Sequence, residues 1–369
     1  MKRMKKMRSS KSISLVLAAA ILFAGCTVAK PVETTDRSVI TEASVPEATE
    51  STSYGTTAET TPSPTPVPEE PIEFNPHVYS AKLAESVDED CWQAFYNLCD
   101  ALRKGEDSFE CKSEEAYLWA TDAATLLKFF PAACAQVEQK DSKGKIPFKN
   151  GVAKINYLTS PGDFVKREKE FEDRVVEDLN RYVKSSYSDF EKCVALYDYV
   201  TSEYTYNDDW DIPSDSGADY YAFMNRKGIC GELGGIYAYM LLQVGVDALT
   251  ISCFEDICHS WTYVTIDGKS YHTDPTWGLR NEYTGKKMYF TYFMMTDGER
   301  AADGAKMDEL AISVLPGYWI KDSGKDFSAT DDRYCELRFA TFSRMDTEKN
   351  ILYYLRGDDD TEYEFHYED

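Results

Sequence analysis

Three short runs carry side chains from which a chemistry can be built. Cys230 follows Gly228-Ile229 at the predicted start of a helix, His259 opens His259-Ser260-Trp261, and Asp274 opens Asp274-Pro275-Thr276-Trp277. A cysteine in the first turn of a helix meets free amide N–H groups and the positive end of the helix dipole, both of which favour the thiolate. The same amides make a natural oxyanion hole. A histidine to take the thiol proton and a carboxylate to orient the imidazole complete the minimum set for nucleophilic attack on a carbonyl. Glycines crowd the cysteine at Gly228, Gly231, Gly234 and Gly235, and each costs up to about 1 kcal/mol relative to alanine inside a helix. They predict close approach by another chain or by a substrate.

The histidine and the carboxylate fall on a predicted hairpin. Asp267-Gly268 between two strand-like runs is a two-residue turn signal that pairs Ile266 with Lys269. Counting outward pairs Trp261 with Asp274 and His259 with Thr276. Alternation then puts these four side chains on one face, with Asp274 diagonal to His259 at about 7 Å between backbones. His272 pairs with Tyr263 on that same face and is close to Asp274, so register alone leaves both His259 and His272 open as the base.

These residues need a helix and strands to position them. Residues 229–244 read as a helix with Leu233, Ile236, Tyr237, Met240, Leu241 and Val244 inward and Gly245 closing it. Strands are expected over 247–254, 260–266 and 269–274. Upstream, helices are expected over 161–184 and 189–204, the second capped by Ser188 or Asp189. The acidic loop 207–217 has Ser214 and Tyr220 where a calcium loop starting at Asp209 needs glycine and glutamate, and no metal or cofactor is expected. A lead-in over 77–160 predicts helices at 81–104 and 113–130, ended by Pro131, and a strand at 151–157. The tail, 301–369, predicts strand-like pieces at 334–342 and 351–356 and an acidic turn at Asp358-Asp359-Asp360. The expected class is α+β, with a chemical core over 161–300, a small helical lead-in and a β-rich extension.

The N-terminus reads as a secretory signal over residues 1–25: a basic start, an apolar run from Ile13 to Phe23, then Ala24-Gly25 before Cys26. Leu22-Phe23-Ala24-Gly25-Cys26 resembles the bacterial lipobox, with Phe23 where an aliphatic residue is usual, and implies lipidation at Cys26. Residues 26–76, rich in Ser, Thr, Pro and Glu, read as an extended tether reaching on the order of 100 Å. Without residues 1–25 the chain has 34 basic and 64 acidic side chains, a formal charge of −30. That field argues against nucleic acid as a partner and mildly favours basic substrates. The cysteines fix no disulfide pattern, since several lie on apolar helical positions where a free thiol packs as a small hydrophobe.

The stretch Tyr197–Gly278 resembles the transglutaminase-like superfamily. Its motifs occur in order: Gly228-Ile229-Cys230 heading a helix, His259-Ser260-Trp261, and Tyr271-His272-Thr273-Asp274-Pro275-Thr276-Trp277, with Tyr199–Tyr206 upstream and Tyr289-Phe290-Thr291 downstream also similar. Glu232-Leu233-Gly234-Gly235 departs from the family, in which an aromatic and an alanine are more usual after the nucleophile. The resemblance implies a papain-like fold, with the nucleophile-bearing helix packed on an antiparallel sheet. It also implies that Cys230 is nucleophile, His259 base and Asp274 orienting acid, and so prefers His259 to His272. Tyr206, Trp261, His272 and Trp277 are expected near the cleft. The expected function is acyl transfer through a thioester on peptide or amide substrates outside the cytoplasm, as peptidase, amidase or crosslinker, with cell-wall peptides among the substrates and a lipid anchor to the membrane. The alternative is a non-catalytic surface module that keeps the fold for binding.

Overall fold

The computed structural model describes residues 69–209, 211–281, 285–357 and 360–368. The expected leader, Cys26 and the tether up to residue 68 lie outside these, as do Asp358 and Asp359 of the acidic turn. The last stretch assigned to the tether, 69–76, runs against the folded part: Ile72 N–H donates to Asn180 Oδ1 at 2.8 Å, and Asn75 N–H to Gln243 Oε1 at 2.8 Å.

The lead-in departs from the expected helices at two polar breaks. The helix expected over 81–104 is a turn, α1 (Ala81–Ala84), and a helix, α2 (Glu89–Lys104). Leu83 and Val87 are buried on either side of the break, so the apolar period runs through it unchanged. After β1 (Ser108–Glu110), the helix expected over 113–130 is α3 (Glu114–Ala120) and α4 (Ala123–Phe129). Thr121 Oγ1 bonds back to Tyr117 O at 2.7 Å, and Asp122 then caps α4 by accepting Ala124 N–H at 2.9 Å. Strands β2 (Val137–Glu138), β3 (Phe148–Lys149), β4 (Val152–Lys154) and β5 (Asn156–Tyr157) complete this part. The one strand expected over 151–157 is thus two, β4 pairing with β1 and β3, and β5 with β2.

Caps set the next helices. Ser160 accepts Asp163 N–H at 3.1 Å and Pro161 fills the first turn of α5 (Pro161–Tyr182). Ser188 and Glu191 form a reciprocal capping box on α6 (Asp189–Glu203). Then come β6 (Thr205–Tyr206), a helix absent from the sequence reading, α7 (Ala218–Asn225), and β7 (Lys227–Gly228), parallel to β6. The central helix α8 (Cys230–Gln243) is buried at every residue except Gly231.

Gly245, at φ +83°, reverses the chain into β8 (Asp247–Cys253), which leads to β9 (His259–Ile266) and β10 (Lys269–Thr273). Asp267 and Gly268 both have positive φ, the signature of a tight hairpin turn, and the register is the expected one from Ile266–Lys269 to Thr262–Thr273, with His272 opposite Tyr263. Beyond Thr273 the expectation fails. Asp274 leaves the ladder, donating its N–H to Tyr292 O at 2.8 Å, so Thr276 does not pair with His259.

After α9 (Asp297–Ala302), β11 (Leu310–Ala311) closes an antiparallel sheet of order β10-β9-β8-β11. The tail forms a separate sheet of β12 (Thr341–Asp346), β13 (Ile351–Leu355) and β14 (Tyr363–His366). The strand expected over 334–342 is instead a short 3-10 turn at Cys335–Leu337, with β12 beginning only at Thr341. One hydrophobic core runs from Val78 to Tyr367.

Candidate active site

The start of α8 is held from below. Arg226, in the left-handed region at φ +57°, binds Tyr204 Oη at 2.6 Å and pairs with Asp178 and Tyr199. Its carbonyl accepts Thr205 N–H at 3.0 Å, and Gly228 O accepts Asn207 N–H at 3.0 Å. Tyr206 is thereby opposite Gly228, two residues before Cys230. Glu232 accepts Ile229 N–H at 2.7 Å, and burial pushes its carboxyl up against the lowering effect of that bond and of Lys128.

The glycines after Cys230 have separate reasons. A Cβ on Gly234 would stand 3.2 Å from the Trp261 backbone, and Thr262 Oγ1 donates to Gly234 O at 2.8 Å, so this glycine lets α8 lie directly on β9. A Cβ on Gly235 would collide with Asp219 and Lys128, which form an ion pair at 2.8 Å. Lys128 also donates to Gly231 O at 2.9 Å, while burial pushes Asp219 up to about 7 against the pull of Lys128. The close approaches at Gly234 and Gly235 therefore come from the chain itself. Space lies open only beside Gly231, next to Cys230.

Topology sets the other half beside this helix start. β8 runs back along α8 from Gly245, and its last residue, Cys253, pairs with His259, the first of β9. His259 and Cys230 thus lie at the same end of the helix–sheet layer, each a few residues beyond the Gly234–Trp261 contact. Both are buried, at 5% and 2% exposure.

His259 Nε2 lies 2.7 Å from Asp274 Oδ2, which leaves Nδ1 as the nitrogen for a thiol. Asp274 is fully buried and fixed at both oxygens, Oδ1 accepting the N–H groups of Thr276 and Trp277 at 3.1 Å each. Burial alone would raise its carboxyl, but His259, Arg300 and the Trp277 amide hold it below the usual range. Trp277 stacks on the imidazole at 4.6 Å between centroids and is 37% exposed. Trp261 is fully enclosed and donates Nε1–H to His272 Nδ1 at 2.9 Å. His272 Nε2 faces Asp297 Oδ1 at 2.9 Å, so both its ring nitrogens are engaged, and burial lowers its pKa against the pull of Asp297.

A family model described as the Transglutaminase-like superfamily matches residues 177–275, a span that contains Cys230, His259 and Asp274. Residues 177–275 are a transglutaminase-like domain. No curated protein matches the chain. A solved structure described as a putative cysteine protease from Cytophaga hutchinsonii is similar at 14% identity and a TM-score of 0.23, covering 29% of this chain and 37% of its own, a score too low to bear on the fold.

Around the transglutaminase-like domain, one functional candidate escaped sequence reasoning. Arg300, on α9 and beyond the matched span, is fully buried with Nη2 3.2 Å from Asp274 Oδ2. The signal that could have found its helix is Thr296-Asp297-Gly298-Glu299, a capping box that the structure forms. Cys91, Cys99, Cys111, Cys134, Cys193, Cys253 and Cys335 are free thiols.

Proposed function

We propose that this protein is a cysteine-dependent acyltransferase of the transglutaminase-like kind. Cys230 attacks an amide carbonyl, His259 takes the thiol proton through Nδ1 and gives it to the leaving amine, and Asp274 holds the imidazole. Amides at the start of α8 stabilise the oxyanion, and a thioester at Cys230 passes its acyl group to water or to an amine. Supporting this most directly is the buried 2.7 Å contact between His259 and Asp274, both within the matched span and at the end of the sheet where Cys230 heads α8. The engagement of both His272 nitrogens favours His259 as the base.

The N-terminal sequence supports export and lipidation at Cys26, with peptides or proteins at the cell surface, cell-wall peptides among them, as substrates. The experiment compares wild type with Cys230→Ala on cell-wall peptides and on casein with an amine donor. Release or crosslinking that disappears with the thiol supports the mechanism. Activity that survives the substitution overturns it, and no activity in the wild type on any amide substrate favours the binding-module alternative.

A further inference from the structure

Asp274 Oδ2 serves two cations-in-waiting at once. His259 Nε2 approaches it at 2.7 Å and Arg300 Nη2 at 3.2 Å. Arg300 is fully buried, and none of its three guanidinium nitrogens makes a hydrogen bond. Its Cζ lies 4.2 Å from the Trp261 ring centroid and 4.4 Å from that of Trp277, so the cation is held by charge and by two indole faces. A guanidinium stays protonated, and its weak hydration makes it the basic side chain best suited to such burial.

The other titratable groups around it do not cancel its charge. Asp303 Oδ2 is 3.9 Å from Nη1, but Asp303 also binds Arg338 at 2.8 Å. Cys253 and Tyr292 also face it, and burial pushes both toward their neutral forms. His272, on the far side of Trp261, has its ring nitrogens committed to Trp261 and Asp297. Cys230 heads α8 at the same end of the layer.

A carboxylate beside a histidine favours the imidazolium and so delays its action as a base until higher pH. A permanent cation on the same carboxylate oxygen opposes that. We propose that Arg300 is a positioning residue that shares the Asp274 charge with His259, so that the imidazole releases its proton at lower pH than it would beside Asp274 alone. This rests on the assignment of His259 as the base, and it extends the working range of the site into mildly acidic conditions. A plug that merely filled the slot between Trp261 and Trp277 would have no such effect.

The test is an NMR titration of ring-labelled histidines in the full chain carrying Cys230→Ala, which removes coupling to the thiol. The sequence has four histidines, so His259 is assigned by single substitution. Arg300→Met keeps the bulk and loses the charge, and is expected to raise the His259 midpoint by about one pH unit. Arg300→Lys keeps the charge and is expected to leave the midpoint near that of wild type. Asp303→Asn leaves Arg300 less compensated and is expected to lower it. An unmoved midpoint in folded Arg300→Met, or an equal rise in Arg300→Lys, overturns the proposal. If Arg300→Met does not fold, an unmoved midpoint in Asp303→Asn overturns it instead. The titration needs no turnover, so an unreactive Cys230 would sink the acyl-transfer mechanism without touching this result, and a flat titration would do the reverse.

Discussion

Trp277 lies face to face with His259, 4.6 Å between ring centroids and 15° from parallel. The indole covers one face of the imidazole while Asp274 fixes its Nε2 edge, so the ring is held in one plane with Nδ1 presented. Trp277→Ala is expected to loosen that plane. An aromatic pair is worth about 1 kcal/mol beyond its burial, so kcat/KM should fall about fivefold, with the fold retained because the indole is partly exposed. Turnover and the melting temperature of the variant, measured together, check this.

The glycines of α8 should separate by position. Gly234→Ala forces a methyl against the Trp261 backbone and is expected to cost about 1–3 kcal/mol of stability. Gly235→Ala drives into the Asp219–Lys128 pair and should be worse. Gly231→Ala has open space and should leave stability unchanged or slightly raised while lowering activity, because that space is beside Cys230. Urea unfolding of the three variants orders them.

The sequence carried the elements around the site better than those away from it, and the reasons are local. Ser188 with Glu191, Ser160 with Pro161, and Asp267-Gly268 each act within a few residues, so α6, α5 and the hairpin register could be read directly. The break at residues 85–88 and the one at Thr121-Asp122 were hidden because buried apolar residues continue the helical period across both. The register could not carry Asp274, since its position is set by Tyr292, from a segment far along the chain. Arg300 was invisible for the same reason. A lone arginine in an acidic stretch looks solvated until the fold encloses it between Trp261 and Trp277.

Stability should fall as the solution becomes alkaline. Glu168 is buried against Glu172, and burial with that second carboxyl pushes its pKa well above the ordinary 4.5, while burial pushes Asp219 up to about 7. Each folded-state pKa is raised for an acid, so the folded protein holds more protons than the unfolded chain between the ordinary and the folded value. Stability therefore declines as pH rises through that window. Glu168→Gln removes the largest part, and urea midpoints measured at about pH 5 and about pH 9 should converge in the variant relative to wild type.

The N-terminal proposal has its own check. Cys26→Ser in the full chain is expected to abolish incorporation of labelled palmitate and to move the protein from the detergent phase to the aqueous phase on partition. An unchanged partition would remove the lipid anchor from the proposal and leave the site untouched.

Alkylation of Cys230 by iodoacetamide near neutral pH, followed by peptide mass analysis, tests the activated nucleophile most directly. Cys230 is only 2% exposed, and Cys335 is a more exposed thiol whose pKa is pushed up to about 11 by burial and Glu299, so it offers an internal comparison. Cys230 is predicted to label faster than Cys335 and faster than a free reference thiol, and to slow to the reference rate or below in His259→Ala. A Cys230 that labels no faster than the reference thiol, or one whose rate ignores His259, would contradict the nucleophile–base pair on which the proposed function stands.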